Sequence, residues 1–376
     1  MRRKRNRGGL ASRLITPLLL IATLGLVAAT LASYLAGNIS PASIWQFAFA
    51  GLAYPFLLFA NLFVAVIWLM LKARYALIPL VTLLIGWGTL SGHLQMKHPH
   101  EFDKTERHLR IASYNAHYFN IWAPFGIPQK DTLVLTEQFF SREAPDILCL
   151  QESVISHPKT GNIARHLQQN LGYTAMASQS YFENGTTGLV TLFNGTVLHQ
   201  GSVELNGRHI ALYVDAEIRG MPVRIYNLHL QSIRLGDQEY VMDLLAPNAY
   251  RDSLFVTGSK KIASKLRSSF KIRSAEAKLI RQHLDECETA VILCGDFNDT
   301  PASYVYRRIL RGGLNDAFRK AGRGMGRTYT GRFPSYRIDY IMVSDHFKTK
   351  SFNTLKNGLS DHHPVFAWIR IPNENN

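Results

Sequence analysis

Three long apolar runs in the first 94 residues constrain this chain more than any other feature. Leu14–Ala36 is 23 residues without a charge, Ile44–Leu71 is 28 and Ala76–Gly92 is 17. A helix needs about 20 mostly apolar residues to cross a bilayer. The runs therefore predict three membrane helices, about 14–36, 44–71 and 76–94. The first run is too long for the h-region of a cleaved secretory signal, and two more follow it. Residues 1–100 hold nine of the 42 Lys and Arg and none of the 27 Asp and Glu, so most of the net charge of +15 belongs to this segment. Six of the nine lie in residues 1–13, and Lys72 and Arg74 separate the second and third runs. The loop Gly37–Ser43 carries neither Lys nor Arg. Basic flanks stay on the cytoplasmic side. The expected topology thus puts the N-terminus inside and everything after about residue 95 on the outer, periplasmic or extracellular, side. The runs contain no ionisable Asp, Glu, Lys or Arg. A transporter or channel would need such groups, so the segment reads as an anchor.

The expected organisation is a basic cytoplasmic tail (1–13), a membrane anchor (14–95), a linker (96–107) and a globular domain (108–376). In that domain strand-like runs alternate with helical ones. Strands are expected at Arg110–Tyr114, Ile147–Gln151, Gly188–Phe193, Ile210–Ile218, Val223–His229, Ala290–Cys294, Arg337–Val343 and Pro364–Ile371. Helices are expected at Asp131–Ser141, Asn162–Leu171, Ser274–Glu286 and Ala302–Arg311. Arg219–Pro222 reads as a hairpin turn. Many strands with interspersed helices suggest two sheets covered by helices. Of the three cysteines, Cys149 and Cys294 fall in apolar runs and Cys287 at a polar helix end, which fits small buried hydrophobes better than a disulfide scaffold.

Residues 233–273 read as a basic insertion. Lys260, Lys261, Lys265, Arg267, Lys271 and Arg273 accompany Ile262, Leu266 and Phe270, spaced four apart. This is an amphipathic basic helix. It either lies on its own domain with a solvated basic face, or meets anionic lipid or a phosphate-bearing substrate through Lys260, Lys261, Lys265 and Arg267.

The strands end in polar groups. Asn115 closes the first, Gln151-Glu152 the second, and His229 follows Val223–Leu228. The run Ala290–Cys294 ends in Asp296 and Asn298, Asp339 stands inside an apolar run, and Asp361-His362-His363 precede the last strand. A turn, a cap or a core histidine would explain any one of them. Together, at strand ends, they point to chemistry. Hard carboxylate and amide oxygens suit Mg²⁺ or Mn²⁺, and the scarcity of Cys and closely paired His argues against structural zinc.

The ordered series SYNAH, LQE, NLHLQS, GDFND, RIDYI and SDHHP over residues 108–376 resembles the endonuclease/exonuclease/phosphatase superfamily, which includes deoxyribonuclease-, abasic-endonuclease- and sphingomyelinase-like enzymes. The resemblance implies an α/β (α+β) fold, a four-layer αββα sandwich of two packed mixed sheets with the site at one edge. It implies a metal-dependent hydrolase of phosphoester bonds. It implies Glu152 as the main Mg²⁺ ligand, with Asn115 and Asp361 beside it. Asp296 would orient or deprotonate the attacking water, and Asn298 would hold the water or the phosphate. His229 would donate to a phosphate oxygen. His362, held by Asp339, would stabilise the phosphate charge, and His363 would be a bystander. The substrate stays open between a lipid head group or other envelope phosphoester and DNA or RNA, because the shared residues recognise only phosphate and metal. A catalytically inactive, membrane-tethered binding module is the alternative from another class, and the intact acids oppose it.

Overall fold

The computed structural model describes residues 10–97, 107–120, 129–157, 161–233, 251–331 and 335–372. Most of the expected linker and residues 234–250 of the basic insertion lie outside the described residues.

Five helices form the N-terminal segment: α1 (Leu10–Ala36), α2 (Gln46–Leu52), α3 (Tyr54–Lys72), α4 (Leu77–Ile85) and α5 (Trp87–His93). Two stretches, Ile15–Ala36 and Tyr54–Ile85, are long and apolar enough to cross a membrane, not the three expected. The third expected helix, 76–94, is split. The chain leaves helical geometry at Lys72 (φ −152°, ψ 86°), turns through a 3₁₀ segment at Ala73–Ala76, and α4 then packs back on α1 and α3. It breaks again at Gly86, where a Cβ would come within 2.0 Å of the Tyr34 ring. The expected 44–71 helix is likewise interrupted, at Ala53 just before Tyr54-Pro55. Polar side chains tie the segment together: Asn61 Nδ2 donates to Thr30 Oγ1 (2.8 Å), Trp68 Nε1 to Thr23 Oγ1 (2.9 Å) and Tyr34 Oη to Thr82 O (3.0 Å). Such bonds hold helices together where lipid offers no competing partner.

The C-terminal part contains two six-stranded mixed sheets. Their strands are β1 (His108–Asn115), β2 (Ile147–Val154), β3 (Ala175–Ser180), β4 (Thr187–Phe193), β5 (Thr196–Leu205), β6 (Arg208–Ile218), β7 (Met221–His229), β8 (Ala290–Asp296), β9 (Leu314–Asp316), β10 (Asp339–Ser344), β11 (Lys348–Thr354) and β12 (Val365–Arg370). The sheet orders are β11-β12-β1-β2-β4-β3 and β9-β10-β8-β7-β6-β5. Each sheet has one parallel pair, β1–β2 and β7–β8. A parallel pair needs a crossover. Helix α6 (Gln129–Glu143) lies in the first connection; α7 (Ile163–Asn170) follows β2, and α8 (Arg251–Asp285) lies in the second connection. The helix expected at Ser274–Glu286 is thus the last third of α8, which begins at Arg251 and includes the basic stretch. Two shorter helices, α9 (Tyr304–Leu310) and α10 (Ala317–Ala321), follow β8 and β9. The expected hairpin forms between β6 and β7, with Arg219 (φ 53°) and Gly220 (φ 78°) in its two-residue turn. Positive φ at both positions matches the twist of the flanking strands.

Three apolar layers hold the sandwich. Ile111, Cys149, Leu189, Val214, Ile225, Ile292 and Ile341 fill the space between the sheets. Ala112, Leu148, Phe139, Phe140 and Leu167 pack α6 and α7 onto the first sheet. Tyr226, Leu293, Ala277, Ile280 and Ile309 pack α8 and α9 onto the second. The cysteines are free, and Cys149 and Cys294 are buried between the sheets.

Candidate active site

The carboxyl ends of both parallel pairs meet at one rim. Asn115 ends β1 opposite Gln151, and His229 ends β7 opposite Asp296. Buried amides stitch the two sheets together beneath. Gln151 Nε2 donates to Asn227 Oδ1 (2.8 Å), and Asn227 Nδ2 donates to the carbonyls of Leu150 and Val190 (both 3.0 Å). This makes the rim one rigid piece rather than two facing edges.

Glu152 sits where the β2–β4 register shifts, between Leu150 and Ser153, with φ 46°. A bulge of this kind re-aims a side chain. Its N–H donates to Tyr181 Oη (2.8 Å), and His229 Nε2 lies 3.3 Å from its Oε1. Burial alone would raise the Glu152 pKa. His229 above all, then His362 and His117, overrides it and holds the carboxyl at about 2.

Asp296 is the hub. Its Oδ1 accepts from Asn298 N (2.7 Å), and its Oδ2 from Asn115 Nδ2 (3.0 Å) and Asn298 Nδ2 (3.2 Å). Asn298 has φ 51°, which folds its amide back onto Asp296. His229 Nε2 and His362 Nε2 approach the same Oδ2 at 3.9 and 3.8 Å. Burial, with Asp339 beside it, pushes the Asp296 carboxyl up to about 6. Asp299, in the same motif, turns away and pairs with the buried Arg273 (3.2 Å).

Asp339 is the first residue of β10, paired with Asp296 across the ladder, not a residue within the strand as the apolar run suggested. Its Oδ2 accepts from His362 Nδ1 at 2.9 Å. Burial would lower the His362 pKa, but the Asp339 and Asp296 carboxylates raise it well above 6.5. The Tyr329 ring stands edge-on to His362 at 5.2 Å. Ser360 Oγ reaches both Asn115 O (2.8 Å) and Asp361 Oδ1 (3.3 Å), so Asp361 hangs at the partly exposed side of the rim. The backbone N–H of His363 donates to Thr328 O (2.7 Å).

Arg208 was not evident from the motifs. Its Nη2 donates to His229 O (2.9 Å) and lies 3.3 Å from His229 Nδ1, while Nη1 pairs with the buried Glu276 (3.3 Å). A guanidinium only donates. Nδ1 is therefore the acceptor, and the hydrogen-bond network assigns the ring proton to Nε2, facing Glu152.

Among the described residues, the acidic and histidine side chains whose ligand atoms all lie within 4.8 Å of one another are Asp296, Asp339 and His362, a group that could hold a metal ion.

The sequence profile of the endonuclease/exonuclease/phosphatase family matches residues 112–362, and that of a domain of unknown function (DUF8431) matches residues 16–93. No curated protein matches the chain. Among solved structures, a humanized D. rerio TDP2 is 14% identical, covering 70% of this chain and 98% of that one, with a TM-score of 0.51. D. rerio TDP2 solved with a single-strand DNA product is also 14% identical, covering 70% and 99%, with a TM-score of 0.51. An endonuclease/exonuclease/phosphatase family protein from Bacteroides thetaiotaomicron is 17% identical, covering 71% and 99%, with a TM-score of 0.51. At these identities the likeness is one of fold. The profile spans the rim from β1 to His362, and on it the chain belongs to the endonuclease/exonuclease/phosphatase family, hydrolases of phosphoester bonds.

Proposed function

We propose that the protein is a membrane-anchored phosphoesterase that depends on a divalent metal, Mg²⁺ or Mn²⁺, and hydrolyses a phosphodiester or phosphomonoester by attack of water. Residues 14–95 are the anchor and 108–376 the catalytic domain. The observation that carries this reading is the meeting of two carboxylates of unequal basicity with two histidines backed by opposite charges. Glu152 is held ionised at about 2 and Asp296 is pushed up to about 6.

The residues fit a hard cation. Glu152 is held ionised, Asn115 and Asp361 add oxygens at the same rim and are bridged by Ser360 Oγ, and Asp339 Oδ1 is a further buried carboxylate oxygen without a hydrogen-bond partner. Glu152, Asn115 and Asp361 would hold the metal. Asp339 and His362 already spend ligand atoms on each other at 2.9 Å, and a protonated imidazole cannot ligate, so the tighter cluster is better read as a proton-holding pair. When bound, the metal neutralises phosphate charge and polarises the ester.

The chain's own groups do the rest. Asp296, fixed by Asn115 and Asn298, accepts a proton from water; a base near pKa 6 is free and still basic at neutral pH. His229 presents Nε2–H to a phosphate oxygen, and His362, kept cationic by Asp339, stabilises the charge that develops. In the test, purified full-length protein is incubated with bis-p-nitrophenyl phosphate in H₂¹⁸O, with Mg²⁺ or Mn²⁺ and then with EDTA. Metal-dependent release of nitrophenol with ¹⁸O in the phosphate product is expected. Turnover indifferent to EDTA, or none with any divalent ion, would contradict the reading.

The catalytic domain belongs on the outer side in this reading. It meets the ends of α1 and α5 that lie away from Lys72 and Arg74. Alkaline phosphatase fused after residue 100 should be active and fused after Arg74 inactive; the reverse would reverse the orientation.

A further inference from the structure

The N-terminal segment is seated on the wall of the active site. Arg337, two residues before Asp339, is buried; its Nη2 donates to Gly92 O at the end of α5 and to Asp316 Oδ2 (both 2.8 Å). Tyr336 Oη donates to Leu52 O at the end of α2 (3.0 Å). Arg319 Nη2 donates to Ser91 Oγ (2.9 Å). The loop that follows Asp296 and Asn298 also enters the seat. Ala302 joins Tyr54, Leu58 and Leu83 in one buried cluster. A Cβ on Gly92 would stand 2.8 Å from the Pro301 side chain, and one on Gly51 would stand 3.3 Å from Ala302 O. The two polypeptide segments that carry Asp296 and Asp339 are therefore clamped to the ends of the apolar helices.

The seat fixes the height of the site. Phe56, 50% exposed, lies four residues beyond Leu52, and Trp87, 64% exposed, lies five before Gly92. At 1.5 Å per residue along α5, the exposed Trp87 begins about 8 Å from the clamped Gly92 carbonyl. The headgroup layer on each side of a bilayer is itself about 5–8 Å thick. The wall formed by Tyr336, Arg337 and Pro301 thus stands in the headgroup layer. A second contact agrees. Helix α8 leans on the loop and helix after α1, with Phe270 packed edge-on to Phe49 (5.3 Å) and the Arg267 guanidinium over the Trp45 ring (5.0 Å). Trp favours the membrane–water interface, and the exposed Lys260 and Lys261, nearer the start of α8, add positive charge of the kind that attracts headgroup phosphates.

Resting on the phosphoesterase reading, we infer that the substrate is a membrane-resident lipid phosphoester, taken by the site from the leaflet against which the catalytic domain is seated. A lipid phosphate is already at the height of Asp296, whereas a nucleic acid must be brought down into the headgroup layer. In the step, the oxygen of one water bonds to phosphorus as one P–O ester bond breaks. One water proton passes to Asp296, which returns it to bulk water, and the leaving oxygen takes up a proton from bulk water and departs as an alcohol.

The test uses full-length protein in nanodiscs of phosphatidylcholine, phosphatidylethanolamine, phosphatidylglycerol and phosphatidic acid, with the Asp296→Asn protein as blank. Lipid products are read by mass spectrometry. Single-stranded and duplex DNA at equal phosphate concentration, and bis-p-nitrophenyl phosphate, are measured in parallel. Turnover of a lipid phosphoester at least about tenfold above DNA is expected. Gly92→Leu, which wedges the seat, should lower the lipid rate about tenfold or more relative to the chromogenic rate, because a small displacement of a positioned substrate is costly. DNA turned over faster than every lipid, or no lipid product while the chromogenic diester is hydrolysed, overturns the lipid inference alone. Equal losses on both substrates in Gly92→Leu overturn the role of the seat. Failure on the chromogenic diester as well overturns the phosphoesterase reading itself.

Discussion

The two flanks of the site present the same side chain in opposite settings. On one flank His229 is backed by Arg208, itself paired with Glu276; on the other His362 is backed by Asp339. Both rings are buried and both bring Nε2 to within 4 Å of Asp296 Oδ2. A cation behind one ring makes Nδ1 an acceptor and leaves the proton on Nε2. An anion behind the other favours the fully protonated ring. Backing charge, rather than residue type, divides the labour: one histidine is a directed donor and the other a fixed positive charge.

The comparison breaks most completely if its shared target is removed. Asp296→Asn keeps the shape but removes the acceptor, and turnover of bis-p-nitrophenyl phosphate should fall by about 10³-fold or more. Retained turnover would mean that neither histidine works through Asp296. Next comes the His362 flank. His362→Ala should cost about 10²–10³-fold in kcat, as the loss of a charge-stabilising donor does. Asp339→Asn should cost less, and the double variant little more than His362→Ala, because the pair acts as one unit. Multiplying losses would instead give Asp339 a role of its own. The sign of the pH effect follows from the same pair. Asp339 raises the His362 pKa, so Asp339→Asn should move the alkaline limb of the activity profile to lower pH. An unmoved limb would show that His362 does not set it.

The smallest effect belongs to Arg208, which touches a histidine rather than the reacting atoms. Arg208→Met should lower kcat by about tenfold, and nitrogen NMR should show His229 losing its single Nε2–H tautomer. A tautomer unchanged by the substitution would remove Arg208 from the account and leave the two flanks alike.

What was legible in the sequence follows the strength of burial. The eight strands with clear apolar runs all exist, and they are the interior strands of the two sheets. Within these two sheets the four unforeseen strands are the four edges: β3, β5, β9 and β11. Edges carry polar and charged residues that discourage pairing with other chains, as in the largely exposed Thr196–Leu205 and in Lys348–Thr354, and so lose the periodic signal. Arg208 was hidden for another reason. It looks like a turn residue after Asn206-Gly207. The hairpin as it forms, counted back from Ile218 opposite Met221, puts position 208 opposite Gln231 and beside His229, a register that the expected four-residue turn Arg219–Pro222 did not give. The clamp between Arg337 and Gly92 joins residues 245 apart and has no local signature. The basic helix carried one in part. The four-residue spacing of Ile262, Leu266 and Phe270 marked a face, and only the fold showed that Phe49 covers Phe270. Burying that ring contributes about 1.5–3 kcal/mol to the seat.

The central claim is that this rim works on a phosphoester with a hard cation held at Glu152. The most direct measurement is turnover of bis-p-nitrophenyl phosphate by full-length protein and by Glu152→Gln across a Mg²⁺ titration. The substitution replaces an ionised oxygen ligand by a neutral amide. Glu152→Gln should lose most of the Mg²⁺-dependent rate and require far more Mg²⁺ for what remains, with the fold intact by circular dichroism. Near wild-type turnover at limiting Mg²⁺ would contradict the account.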